Sequence, residues 1–296
     1  MILNIFRKYR FFLLLTVLFL FFRLPSLFEP NWYGDEGIYL VLGQAIRKGI
    51  LLYSQIHDNK PPTLYYLAAF GQTVFGFRLL LLFWMIPTIY VFYLLSKKFF
   101  TGFMLRASCL LFLVFTNIPL FEGHIANAEI FMLLPTILGI YLFYSTKRIT
   151  HYVLLITGLL LGFAFTIKIP VAVEFGFLCV WLLITNFDIK KIKLLITYYL
   201  IFFISFLLPF LLYLIYFYFK GSLGEFMFAA IFQNFGYLSY WATGSHSGSA
   251  TSSGIISRVV ILLAFWIFCF FSYRKKIFSP KIIFLSSITS GEPGVP

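Results

Sequence analysis

Recurrent apolar runs long enough to cross a bilayer constrain this chain most, because hydrocarbon leaves no partner for backbone N–H and C=O groups except those within a helix or closed barrel. Such runs lie at 10–28, 79–96, 104–120, 128–146, 152–168, 170–187, 194–219 and 255–273, with a weaker one at 281–290. All but the last approach or exceed the ~20 residues a helix needs to cross about 30 Å of hydrocarbon. With 61% hydrophobic residues, 11% charged residues and a mean hydropathy of +0.95, too few polar side chains remain to cover a water-facing globule. The expectation is an all-α polytopic membrane protein with about nine transmembrane helices. The first run follows Arg7-Lys8-Tyr9-Arg10 in the manner of a signal peptide, but no small-residue cleavage site comes after it, so it is kept as a span.

Charge decides one ambiguous stretch, 62–76, "PTLYYLAAFGQTVFG". Its 15 residues reach only about 22 Å as a helix. If it does not cross and the N-terminus is cytoplasmic, the inside receives Arg7, Lys8, Arg10, Lys97, Lys98, Arg106, Lys147, Arg148, Lys190, Lys191, Lys193, Arg274, Lys275, Lys276 and Lys281, which is 15 of 23 basic residues. A crossing at 62–76 would send the last twelve of these outside, against the positive-inside rule. The stretch therefore reads as a juxtamembrane or re-entrant helix on the outer side. A second such helix is expected at 37–48, with Ile38, Val41, Leu42, Ala45 and Ile46 as its apolar face and Gly49 ending it. The net charge of +13 belongs to these loops, and no nucleic-acid partner is expected. Cys109, Cys179 and Cys269 sit inside apolar runs and read as small core residues.

On this topology Glu29, Asp35, Glu36, Asp58, Glu122, Glu129, Glu174, Glu225 and Glu292 lie on or near the outer side, leaving Asp188 inside. Ionisable groups at span ends are costly and point to function or to a specific partner. Asp35 and Glu36 follow Trp32-Tyr33, a pair suited to headgroup depth. Lys60 precedes Pro61-Pro62, Arg78 closes the short helix, and Lys168 in "FTIKIP" ends the fifth span. Three cations at one leaflet boundary suit a lipid-linked phosphate or diphosphate, although each alone also reads as a side chain snorkelling to headgroups. Glu129 opens the fourth span, where the helix dipole alone would favour a carboxylate. A divalent metal stays open, with Glu129, His124 and His57 as weak candidates that lack ligand-like spacing. The loop 220–253 ends in "GSHSGSATSSG" and reads as a flexible outer segment.

Taken in order, "DE", "DNKPPTLYYLAAFGQTVFGFRLL", "NAEIFMLLP" and "GLLLGFAFTIKIP" resemble the membrane glycosyltransferases of the GT-C fold. The resemblance, over about residues 1–240, is to the branch of protein mannosyltransferases and lipid A aminoarabinose transferases, the family 39 glycosyltransferases. It implies a seven-span catalytic core at 1–219 that includes the outer loop 29–78, then the outer loop 220–253, then further C-terminal spans at 254–296. It also implies sugar transfer from a polyprenyl-phosphate donor to a hydroxyl on a lipid, glycan or protein acceptor, among membrane lipids. Asp35 maps onto the catalytic acid with Glu36 beside it, Lys60 onto the phosphate-contacting lysine, Glu129 onto the acid of the fourth span and Lys168 onto the cation of the fifth. Arg78 joins Lys60 and Lys168 as a candidate phosphate contact. Family members usually continue with more spans, whereas this chain stops in "FLSSITSGEPGVP", so a truncated or partial chain is expected. The expected location is the bacterial plasma (inner) membrane, multi-pass, with the active site facing outward. A transporter or flippase of a lipid-linked or anionic substrate, and a noncatalytic scaffold, are the alternatives.

Overall fold

The computed structural model describes residues 2–31, 33–146, 148–186 and 192–234. Among them the chain is helical throughout, apart from turns and one isolated bridge between Leu52 and Ile56. The helices are α1 (Ile2–Arg23), α2 (Gly34–Arg47), α3 (Thr63–Gly71), α4 (Val74–Phe99), α5 (Gly102–Phe115), α6 (Ala128–Phe131), α7 (Leu133–Ser145), α8 (His151–Phe165), α9 (Val171–Asn186), α10 (Ile192–Phe219) and α11 (Leu223–Met227).

Among the described residues, four stretches are long and apolar enough to cross a membrane: Arg10–Leu27, Val74–Phe99, Ala128–Ser145 and Ile192–Phe219. The three further described runs form the shorter apolar helices α5, α8 and α9, of 14, 15 and 16 residues. Local polar groups set some of these limits. Past α5, Thr116 and Asn117 turn their side chains back onto the carbonyls of Phe112 and Leu113. At α8, the Thr150 hydroxyl caps Val153 N–H, and Thr166 bonds the Phe163 carbonyl with Pro170 close behind. Of the seven expected spans that fall on described residues, four are thus carried by helices that qualify by length and composition. The runs at 255–273 and 281–290 lie outside the described residues, as does most of the loop 220–253. The described start of that loop is helical, with α11 running into a π-helical turn, Phe228–Phe232.

The stretch 62–76 divides. Helix α3 has nine residues, about 14 Å, and stops where Gln72 takes φ +66°. Thr73 then caps α4 by accepting a hydrogen bond from Gly76 N–H at 3.0 Å, so α4 starts five residues before the predicted run at 79.

Helix α2 forms where expected, but its face is rotated. Of the expected apolar face, Leu42 is buried but Ile38 and Val41 are exposed, while Glu36, Tyr39, Leu40 and Gly43 are buried at i, i+3, i+4 and i+7. Hydropathy counted the isoleucine and valine; it could not weigh a carboxylate whose cationic partner lies 42 residues away.

The chain runs up and down between two ends. At one end the Tyr198 hydroxyl reaches the Ile149 carbonyl and the Phe99 ring meets Tyr144. Arg10, Lys97, Lys98, Arg106, Arg148 and Lys193 sit toward that end, where no acidic residue lies among the described ones. The other end gathers the close of α1, α2, α3, the start of α4, the loop 116–127 and the α8–α9 turn, and it holds every described carboxylate side chain.

Helices α8 and α10 pack most intimately, through a Gly-x-x-x-Gly pair. A Cβ on Gly158 would lie 2.8 Å from the Phe202 carbonyl oxygen, and one on Gly162 only 2.1 Å from that of Phe206. In lipid, where apolar side chains gain nothing by leaving solvent, such backbone proximity is a main source of helix association.

Candidate functional site

Asp35 lies in the first turn of α2, where the helix dipole favours a negative charge. Its Oδ2 pairs with Lys60 Nζ at 2.9 Å; the two side chains are 39% and 20% exposed. Lys60 ends an irregular loop that is closed from within. The Tyr53 hydroxyl donates to the Lys60 carbonyl at 2.7 Å, with Tyr53 itself held at φ +74°. Lys60 N–H donates to the Tyr65 hydroxyl, which in turn donates to Asp58 Oδ2 at 2.8 Å. Tyr53 and Tyr65 are both buried, so these bonds fix the loop against the core. The Lys60 ammonium rests 4.8 Å from the centre of the Tyr39 ring, a cation–π contact that steadies it without taking a donor.

The α8–α9 turn is stapled to the same place. Thr63 N–H donates to the Thr166 carbonyl at 3.1 Å, and the two hydroxyls meet at 2.7 Å. That staple brings Lys168, two residues past Thr166, alongside the segment that carries Lys60. Lys168 pairs with Glu129 of α6. Burial pushes the Lys168 ammonium down to about 8; nearby Lys60 adds to the effect, while Asp35 and Glu122 oppose it. Lys168 therefore lies within the electrostatic reach of Lys60.

Asn127 completes the enclosure. It caps α6, its Oδ1 accepting from Ala128 N–H at 2.7 Å, and its amide donates to Glu122 Oε2 at 3.1 Å. The Tyr39 hydroxyl stands between Asp35 Oδ2 at 3.0 Å and Asn127 Oδ1 at 3.1 Å. Burial and the adjacent Asp35 carboxylate raise the Tyr39 phenol well above its ordinary range, which keeps it a neutral donor.

Sequence reasoning placed Glu36 and Arg78 in the same group, and the structure sets them apart. Both are fully buried and meet as a bidentate pair, Arg78 Nε to Glu36 Oε1 at 2.8 Å and Nη2 to Oε2 at 2.6 Å. Arg78 Nη1 is occupied by the carbonyls of Ser26 and Glu29, and Glu36 Oε1 also accepts from Ala126 N–H at 3.0 Å. Arg78 is thus committed to protein acceptors and does not face a ligand beside Lys60. The pair ties α2, α4, the end of α1 and the residues before α6 together. Arg23, likewise buried, adds a bond from Nη1 to the Gly123 carbonyl.

The metal candidates are not brought together either. Glu129 is with Lys168, the His57 ring bonds Gln233 Oε1 at 2.9 Å, and buried His124 lies 3.9 Å from Glu29. Burial lowers the His124 imidazole from its ordinary value. Among the described residues no three His, Cys, Asp or Glu side chains gather in a way that could hold a metal ion.

Asp35, Lys60, Glu129 and Lys168 therefore converge from α2, the loop before α3, α6 and the α8–α9 turn. Tyr39 and the Thr63–Thr166 staple escaped sequence reasoning, which had Asn127 only as a residue opening the fourth span. Tyr39 alone carried a signal, sitting one helical turn after Asp35.

Fold and site together define a helical membrane protein with a small cluster of paired ions at one end of its bundle. Compared with protein-family models, curated proteins and solved structures, the chain finds no match in any of the three.

Proposed function

We propose that the protein is a membrane glycosyltransferase of GT-C type, moving a sugar from a polyprenyl-phosphate donor to a hydroxyl acceptor with inversion at the anomeric carbon. The observation that carries this reading is the meeting of a partly exposed carboxylate, Asp35, with two lysines, Lys60 and Lys168, at one end of an apolar bundle. An acceptor hydroxyl must lose a proton as it attacks, and Asp35 is the candidate general base. The departing phosphate gains negative charge, which Lys60 and Lys168 would stabilise in a poorly screened site. Glu129 holds Lys168 in place before the donor arrives. The opposite end carries Arg10, Lys97, Lys98, Arg106, Arg148 and Lys193 with no acid among the described residues, and this supports an outward-facing site under the positive-inside rule. A multi-pass bacterial plasma membrane protein with further spans after 254 fits this reading.

The test is transfer of radiolabelled sugar from a panel of polyprenyl-phosphate sugars to extracted membrane acceptors, by wild type and Asp35→Asn side by side. Asp35→Asn is expected to lose about two or more orders of magnitude in transfer. Equal turnover by the two proteins would remove Asp35 from the mechanism, and no transfer from any donor would turn attention to a transporter of lipid-linked substrates.

A further inference from the structure

Among the described residues, the hydrogen bonds that reach the Asp35 carboxylate both land on one oxygen. Lys60 Nζ and the Tyr39 hydroxyl each donate to Oδ2, at 2.9 and 3.0 Å. Tyr39 is fully buried, so its ring cannot swing aside, and its hydroxyl has a second acceptor, Asn127 Oδ1, at 3.1 Å. Asn127 Oδ1 is itself oriented by Ala128 N–H, so both acceptors that flank the phenol are fixed. A hydroxyl carries one proton, and Tyr39 gives it either to Asp35 or to Asn127.

We propose that Tyr39 is a positioning residue that pins Asp35 through Oδ2 and leaves Oδ1 as the oxygen that takes the acceptor's proton. The inference rests on the glycosyl-transfer reading and extends it to a residue outside the expected set. In the step, the acceptor oxygen bonds to the anomeric carbon and its proton passes to Asp35 Oδ1. The bond from the anomeric carbon to the phosphate oxygen breaks, and its electron pair leaves on the phosphate. Once Oδ1 is protonated the carboxyl group is neutral and Oδ2 is a weaker acceptor, so the Tyr39 proton turns to Asn127 Oδ1 without exposing an unpaired donor. Tyr39 also lies beneath the Lys60 ammonium, and its ring therefore supports the phosphate-binding side of the site as its hydroxyl supports the basic side.

Separating those two functions gives the test, done on the full chain in lipid nanodiscs. Tyr39→Phe keeps the ring under Lys60 and deletes only the hydroxyl. Transfer by Tyr39→Phe is expected to fall about 10–30-fold in kcat with KM for a polyprenyl-phosphate sugar within about threefold of wild type. Incorporation of 3-fluorotyrosine at position 39 restores the hydroxyl and should bring kcat back. A second readout needs no substrate: carbodiimide coupling of glycine ethyl ester to Asp35, followed by peptide mass spectrometry, should run about threefold or more faster in Tyr39→Phe as Oδ2 loses one of its two donors and keeps only Lys60. Unchanged coupling, or a kcat within about twofold of wild type, overturns the proposal. If wild type transfers from no donor, the glycosyl-transfer reading falls and the coupling rates alone decide whether Tyr39 pins Asp35.

Discussion

Asp35 and Glu36 are neighbours with the same chemistry and opposite surroundings, and substituting each in turn should give opposite phenotypes. Glu36 and Arg78 are both fully buried, joined by two short charge-assisted bonds, with Arg78 held further by the Ser26 and Glu29 carbonyls. Removing one partner of such a pair strands a charge in a low-dielectric interior and costs about 3–5 kcal/mol. At about 2–4 °C per kcal/mol for a chain of this size, Glu36→Gln and Arg78→Met should each melt on the order of 10 °C below wild type. The double variant, with no charge left to strand, should be less destabilised than the sum of the two by about 2 kcal/mol or more. By contrast, the Asp35–Lys60 pair keeps 39% and 20% of its side-chain surfaces exposed, and partly solvated pairs contribute about 0–1 kcal/mol. Asp35→Asn should therefore melt within about 4 °C of wild type while losing transfer. Thermal unfolding in nanodiscs, read by tryptophan fluorescence beside the transfer assay, measures both quantities on the same samples. Glu36→Gln melting with wild type, or additive single and double variants, would refute the reasoning from buried charge.

Four further outcomes belong with the same geometry. Gly162→Leu should abolish the α8–α10 contact, since even a Cβ would lie 2.1 Å from the Phe206 carbonyl oxygen; loss of the monodisperse peak on size exclusion is the readout. Lys168, pushed down to about 8 from its ordinary value of 10.5, should release donor phosphate as pH rises through 8, and Lys168→Arg should keep its affinity for a short-chain polyprenyl phosphate at higher pH. Because the folded state binds this proton less tightly than the unfolded chain, Lys168 opposes folding below about 8, and stability should rise with pH between 8 and 10.5 in wild type more than in Lys168→Met. Glu129→Gln removes an anion beside Lys168, so it should move the loss of donor binding to lower pH, as measured by titration with the same phosphate.

What could be read from the sequence tracks the cost of breaking each rule. A bilayer demands long apolar helices, so the positions of α1, α4, α7 and α10 show plainly in hydropathy, and an ion at a helix end stands out against them. Asp35, Lys60, Glu129 and Lys168 were visible for that reason. Hidden features were those that depend on a partner far along the chain. The buried side of α2 follows from Arg78 lying 42 residues on, and the Thr63–Thr166 staple spans 103. Gly158 and Gly162 were in plain view as "GLLLG", yet their meaning required knowing that Phe202 and Phe206 lie opposite. The three shorter helices are a different case, because polar residues just beyond α5 and around α8 terminate elements that hydropathy alone extends.

The acidic pair at the start of α2 also explains why this loop carries so much charge. Successive residues on a helix are turned by about 100°, so when Glu36 points into the bundle, Asp35 must point along its rim. Glu36 fixes the helix from inside, accepting from Ala126 N–H as well as Arg78, and Ala126 immediately precedes the Asn127 that faces Tyr39. The buried pair thus sets the distance between Asp35 and Asn127, on either side of the Tyr39 hydroxyl, through two short rigid connections. Moving the acids apart by one residue would preserve composition and hydropathy while losing that relation. A variant with a single alanine inserted between Asp35 and Glu36 should accordingly keep the Glu36–Arg78 pair or the Asp35–Lys60 pair, but not both. Carbodiimide labelling at each acid distinguishes the two, and retention of both pairs would show that the spacing is not what holds the site together.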